Sequence, residues 1–136
     1  MLDLIIKNGS CYIDKDLKDQ DIAIKDGKII KIGKIDSEAK ETFDAEGLTV
    51  LPGCIDTQTH FREPGSTDTE DLHSGSRAAI VGGITSVFEM PNTNPPTSTK
   101  IEFQKKLDLA KNRMYCNYAF YFGATADNAN ELADLV

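Results

Sequence analysis

The stretch Leu51-Pro52-Gly53-Cys54-Ile55-Asp56-Thr57-Gln58-Thr59-His60-Phe61-Arg62-Glu63-Pro64-Gly65 constrains the fold more than any other part of the chain. A short apolar run gives way to polar residues and then to Pro-Gly, the pattern of a buried strand that ends in a working loop. In a regular strand side chains alternate between faces, so Asp56, Gln58 and His60 are expected on one side and Thr57, Thr59 and Phe61 on the other. Three groups able to bind a metal or move a proton would then converge.

The rhythm of the chain changes around this stretch. Over 4–51 the pattern is short strands and tight turns: Leu4-Ile5-Ile6 and Cys11-Tyr12-Ile13 flank Asn8-Gly9, and Ile22-Ala23-Ile24 and Ile29-Ile30-Lys31-Ile32 flank Asp26-Gly27. Both dipeptides tolerate the positive φ of a hairpin turn. Thr42-Phe43 and Leu48-Thr49-Val50 around Glu46-Gly47 read as a third hairpin. From Pro52 onward the order is strand, helix, strand, helix, strand, helix, the sign of a parallel sheet with crossover connections. The strands are expected at 54–58, 85–89 and 117–122. The first helix is expected to open at a capping box Thr67-x-x-Glu70 and end at Gly82-Gly83. The second opens at Thr99-x-x-Glu102 and presents Phe103, Leu107 and Ala110 as one face. A third begins near Asp127 and is still running at Val136, so the chain reads as stopping in mid-architecture. The fold class is α/β, with a β-rich, sandwich-like segment at 1–51 and three β/α units at 52–136.

Composition narrows the function. A net charge of −7 with lysines scattered among acids argues against nucleic-acid binding, which needs clustered Lys and Arg to neutralise phosphates. Cys11, Cys54 and Cys116 show no C-x-x-C spacing and read as reduced, mostly buried small hydrophobes. The first residues lack a basic start, and no apolar run nears the roughly 18 residues of a membrane helix. A cytoplasmic protein is expected.

The 51–65 stretch resembles the first-strand signature of the cyclic amidohydrolases, and specifically the dihydroorotases, whose pattern is Asp-x-His-x-His followed by Arg and Pro-Gly. Here it reads Asp56-Thr57-Gln58-Thr59-His60, with glutamine in place of the first histidine. Met90-Pro91-Asn92-Thr93 is similar to the dihydroorotase loop whose Asn helps to hold a substrate carboxylate. The resemblance implies that the parallel units start a (β/α)₈ TIM-type barrel, a fold that needs about 250 residues, and that the chain covers its first third. It implies His60 as a metal ligand, with Gln58 and Asp56 as further candidates, and Arg62 and Asn92 as substrate-binding residues. No catalytic residue is implied within the chain, because the general acid/base Asp of the family lies beyond Val136.

The implied reaction interconverts N-carbamoyl-L-aspartate and dihydroorotate in pyrimidine biosynthesis, by metal-assisted hydrolysis of a ring amide. The implied cofactor is zinc, as a single or weakly bound ion, since a Gln carbonyl is a harder and poorer zinc ligand than imidazole. Arg62 suits a substrate carboxylate, because its planar fork matches one bidentately, and a surface ion pair with Glu63 is its other reading. Two alternatives stay open. One is a non-catalytic homologue that partners aspartate carbamoyltransferase, which Gln58 favours; a homo-oligomer is open whichever reading holds. The other is a hydantoinase or allantoinase, sharing the barrel with a different ring as substrate. His73 reads as a solvated helix residue.

Overall fold

The computed structural model describes residues 1–132. The chain divides into two compact units, Met1–Pro52 and Gly53–Val136. Among the described residues no helix is long and apolar enough to cross a membrane.

The first unit is all β. Strands β1 (Leu2–Lys7), β4 (Asp21–Lys25), β5 (Lys28–Gly33) and β6 (Ala39–Asp44) form one sheet in the order β5-β4-β1-β6. Strands β2 (Ser10–Ile13), β3 (Asp16–Asp19) and β7 (Thr49–Val50) form a second, in the order β3-β2-β7. Ile5, Ala23 and Ile35 make the core of the larger sheet, with Leu2 and Ala39 packed on it. An apolar cavity of about 220 Å³ is lined by Cys11, Ile13, Ile22, Ile32, Val50 and others.

One of the three expected hairpins forms. Asp26 (φ 50°) and Gly27 (φ 71°) supply the left-handed pair that joins β4 to β5. At Asn8-Gly9 the chain does not fold back. Strand β1 lies between β4, antiparallel, and β6, parallel, while β2 leaves for the other sheet. The reason is close packing: a Cβ on Gly9 would stand 2.6 Å from Val50 Cγ2, so glycine is needed for the strand to pass, not for a hairpin turn. Likewise Glu46-Gly47 separates β6 and β7 between the two sheets, with Ala45 N–H donating to Lys7 O (2.8 Å) and Ser10 N–H to Leu48 O (3.0 Å). A hairpin that was not expected joins β2 to β3 through Asp14 (φ 54°) and Lys15 (φ 68°), an αL pair built without glycine.

The second unit is a right-reading β/α alternation: β8 (Cys54–Thr59), α1 (Leu72–Val81), β9 (Ile84–Glu89), α2 (Lys100–Ala110), β10 (Asn117–Phe120) and α3 (Ala129–Leu132). The three strands are parallel, in the order β10-β9-β8. One face is covered by α1 and α2 around Phe61, Leu72, Val87, Ala110 and Cys116; on the other, Ile55 and Phe88 remain exposed. Gly53 allows the entry to β8 to approach β9, since a Cβ there would meet the Thr85 side chain at 2.2–2.7 Å. The rest of the expected third helix, 133–136, lies outside the described residues.

The cap of α1 is not at Thr67. Residues 62–70 turn on themselves, with Ser66 N–H donating to Arg62 O (2.8 Å) and Thr69 N–H to Ser66 O (3.0 Å). The helix begins where Asp71 accepts from Ser74 N–H (2.6 Å) and Ser74 Oγ accepts from Asp71 N–H (3.1 Å), while Glu63 Oε2 takes the orphan Leu72 N–H (2.9 Å). Thr99 does cap α2, accepting from Glu102 N–H at 3.2 Å.

The inner face of α2 holds Phe103, Leu107 and Ala110, and between them a fully buried Lys106. Its ammonium is paired with the equally buried Glu89 of β9 and stands 5.2 Å from the Phe120 ring centroid. Removing one partner of such a pair strands a charge and costs about 3–5 kcal/mol, whereas replacing both by apolar groups is close to neutral. Lys106→Met should therefore destabilise the chain by up to about that amount in denaturant melts at alkaline pH, where Glu89 would have to stay ionised, and Glu89→Leu/Lys106→Met should recover most of it. A double variant no more stable than the single one would contradict this.

Candidate active-site platform

The C-terminal ends of β8, β9 and β10 carry three loops that are bonded to one another. Met90 N–H donates to Thr59 O (2.9 Å) and Tyr121 N–H to Glu89 O (2.9 Å), extending the ladder past the strands. Beyond it Asn94 N–H reaches Pro64 O (3.0 Å), and Gly123 N–H reaches Thr97 O (2.8 Å). Gly65 (φ 122°) packs so closely on Asn94 that a Cβ would lie 2.9 Å from that residue's backbone oxygen. Buried Asn128 closes the third loop, donating to Ser98 O and Gly123 O, both at 2.8 Å. The 123–125 loop, silent in the sequence, is thus a clasp on the second.

On this platform His60 and Asn92 meet: Nδ1 of His60 is 2.9 Å from Oδ1 of Asn92. An amide oxygen only accepts, so Nδ1 carries the proton and the Nε2 lone pair is left for a metal or a proton. Metal-binding histidines are commonly held in this way by a carbonyl on the other ring nitrogen. Both side chains are exposed. Arg62 is also exposed, and it does not pair with Glu63, because Glu63 is buried against Arg113 in a two-pronged pair (2.8 and 3.0 Å). Among the described residues Arg62 has no ion-pair partner.

Asp56 does not share the face expected for it. The register runs Asp56 with Val87 and Thr59 with Glu89, so β8 advances three residues while β9 advances two. That irregularity puts Asp56 and Thr59 together on the helix-covered side, where both are half-buried, and leaves exposed Gln58 on the other. Asp56 Oδ1 also accepts from Gln58 N–H (2.9 Å), so one carboxylate oxygen is already used in shaping the break. His73 is exposed, as expected, but its Nε2 lies 3.2 Å from the Tyr115 hydroxyl and the rings meet edge to face.

Among the described residues no three His, Cys, Asp or Glu side chains converge as a metal site. The free Nε2 of His60 is the kind of donor that zinc takes, whereas an amide oxygen such as that of Gln58 would be a harder and poorer one.

The parallel β/α units present histidine, arginine and asparagine on loops at the C-terminal ends of their strands, the end at which barrel enzymes carry their sites. The amidohydrolase family profile matches residues 49–134. The chain belongs to the amidohydrolase family. It is 42% identical over 134 residues to allantoinases of Escherichia coli O1:K1 and O139:H28, covering 98% of this chain and 30% of theirs. It superposes on L-hydantoinase (dihydropyrimidinase) from Arthrobacter aurescens with a TM-score of 0.89 and 34% identity, over 99% of this chain and 31% of that one. D-hydantoinase from Thermus sp. gives 0.79 and 27%, over 98% and 31%. The chain spans about a third of the length of these relatives, which are allantoinases and hydantoinases.

The buried pair beneath the platform gives it a pH dependence. Burial pushes the Glu89 carboxyl from its ordinary 4.5 up to about 7, against the pull of Lys106. The folded state therefore holds this proton more tightly than the unfolded chain does. The contribution of Glu89 to stability is full below about 4.5 and is lost as pH rises through about 7. The stability difference between wild type and Glu89→Gln should shift in favour of the variant across that window in urea melts. A difference that stays constant would contradict the assignment.

Proposed function

We propose that this chain forms the first part of a metal-dependent amidohydrolase that opens a cyclic ureide or imide ring of the hydantoin or allantoin type. The His60–Asn92 hydrogen bond carries this reading, because it leaves Nε2 of His60 as a ligand at the strand ends. The identity to allantoinases over nearly the whole chain and the superposition on hydantoinases support the ring class.

A metal held with the help of His60 supplies Lewis acidity towards the ring carbonyl and a water of lowered pKa. Asn92 fixes the ligand tautomer and keeps its amide N–H groups for the substrate. Arg62 offers its fork to a carboxylate. Ring opening of a hydantoin-type ring creates a carboxylate where the amide was, so Arg62 serves this chemistry as well as it serves a substrate that already carries one. The remaining ligands and the group that moves the proton would come from residues beyond this chain.

A second reading, a dihydroorotase acting on dihydroorotate, is favoured by the combination of Arg62 with Asn92 in a Pro-Asn-Thr loop. Assaying the protein as encoded against allantoin, hydantoin, dihydrouracil and dihydroorotate separates the two. Turnover of the first pair is expected, and turnover of dihydroorotate alone selects the second reading. No turnover of any ring together with no bound metal would overturn both and leave the non-catalytic role, a folded partner for an enzyme such as aspartate carbamoyltransferase.

Arg62→Met should lower kcat/KM by about tenfold or more, as expected for a lost charged hydrogen bond worth roughly 1.5–3 kcal/mol. With Gln58 in the motif, one zinc ion or a weakly held pair is expected by metal analysis, and Gln58→His should raise the occupancy. A wild-type protein with two tightly bound zinc ions would contradict this.

A further inference from the structure

The buried ammonium of Lys106 faces more than its counter-ion. Its Nζ also stands 3.4 Å from Met90 O and 3.3 Å from Thr97 Oγ1, the two ends of the loop that carries Asn92. Thr97 is itself buried, and its hydroxyl is shared with Thr93 Oγ1 at 3.3 Å, which in turn donates to Pro95 O at 2.9 Å. Thr97 N–H closes the same loop on Pro91 O (2.9 Å). Both ends of the 90–97 loop therefore meet one charged group that water cannot reach.

We propose that Lys106, with Glu89 as its counter-ion, is a positioning residue for His60: by gathering Met90 O and the Thr97 hydroxyl it fixes the 90–97 loop, and through Asn92 Oδ1 it fixes which ring nitrogen of His60 carries the proton. An amphipathic helix has no need of a lysine at its most buried position, where an apolar side chain of similar length would fill the space without desolvating a charge. What the ammonium adds is direction. It can serve a carboxylate, a carbonyl and a hydroxyl at once, and its charge makes those bonds stronger than neutral ones in a site closed to water. The inference rests on the reading of His60 as a ligand only for its consequence; the link from Lys106 to the tautomer stands in this chain alone.

The chain has two histidines, so nitrogen-15 spectra of histidine-labelled protein report His60 directly, with His73 as an internal control bonded to Tyr115 instead. In the wild type His60 should be the Nδ1–H tautomer. Thr97→Val keeps the shape of the side chain and removes the hydroxyl, and it should cost His60 that preference while His73 is unchanged; Thr97→Ser should restore it. Glu89→Leu/Lys106→Met should show the same loss. A His60 tautomer that is unmoved in Thr97→Val and the double variant, or that changes only in step with His73, overturns the proposal. If the protein turns over no ring yet His60 follows Thr97 and Lys106, the functional reading fails and this one stands.

Discussion

The candidate platform depends on a lysine that is fully buried. Lys106 lies between α2 and β9, and burial on that scale would expel its charge unless several acceptors closed around it. Glu89, Met90 O and Thr97 Oγ1 do so, and all three belong to the strand end and loop that carry Asn92. Loss of the ammonium would leave Glu89 as an uncompensated acid in an apolar wall, so the core of the unit and the geometry of its loops stand together. The cost of such a pair in plain stability is accepted where its directional bonds are needed, and here they end at the one imidazole of the site.

The second constraint is close approach of backbone. Gly65 lies against Asn94 with φ 122°, a conformation that side chains rarely adopt, and the contact brings the loop after β8 onto the loop after β9. Asn94 N–H to Pro64 O and Gly123 N–H to Thr97 O then tie three loops into one surface. A catalytic group on a lone loop would sample many positions; on a bonded surface it samples few, which is what metal ligation requires. The first unit solves a different problem by similar means, using Gly9 against Val50 to send consecutive strands into different sheets.

Local signals were legible where the physics is local. Asp26-Gly27 demands an αL pair and makes its hairpin, Thr99 caps its helix, and the β/α alternation after Pro52 fixes the parallel sheet. The meeting of His60 with Asn92 was also legible, since residues that leave the same end of adjacent parallel strands are neighbours by construction. Pairing between distant segments was not. Strand β1 takes β6 as a parallel neighbour thirty-seven residues on, and no turn residue between them announces it. The Asp14-Lys15 turn was hidden because neither residue is glycine. Helical periodicity puts Lys106 on the face of Phe103, Leu107 and Ala110, and nothing in its own segment announces Glu89 opposite, while Glu63 reads as a partner for Arg62 until Arg113, fifty residues away, claims it. The break in β8 that turns Asp56 from Gln58 has no composition signal at all, so strict alternation misplaced that acid.

The three strand-end loops form one bonded surface and not three independent ones. Native-state hydrogen exchange at the amides of Met90, Asn94, Thr97 and Gly123 tests it most directly, because each of these N–H groups donates to a loop or strand-end carbonyl. All four should exchange slowly and with similar opening free energies, close to those of β9 itself. Exchange of Asn94 and Gly123 at the rate of open chain, while β9 stays protected, would contradict it.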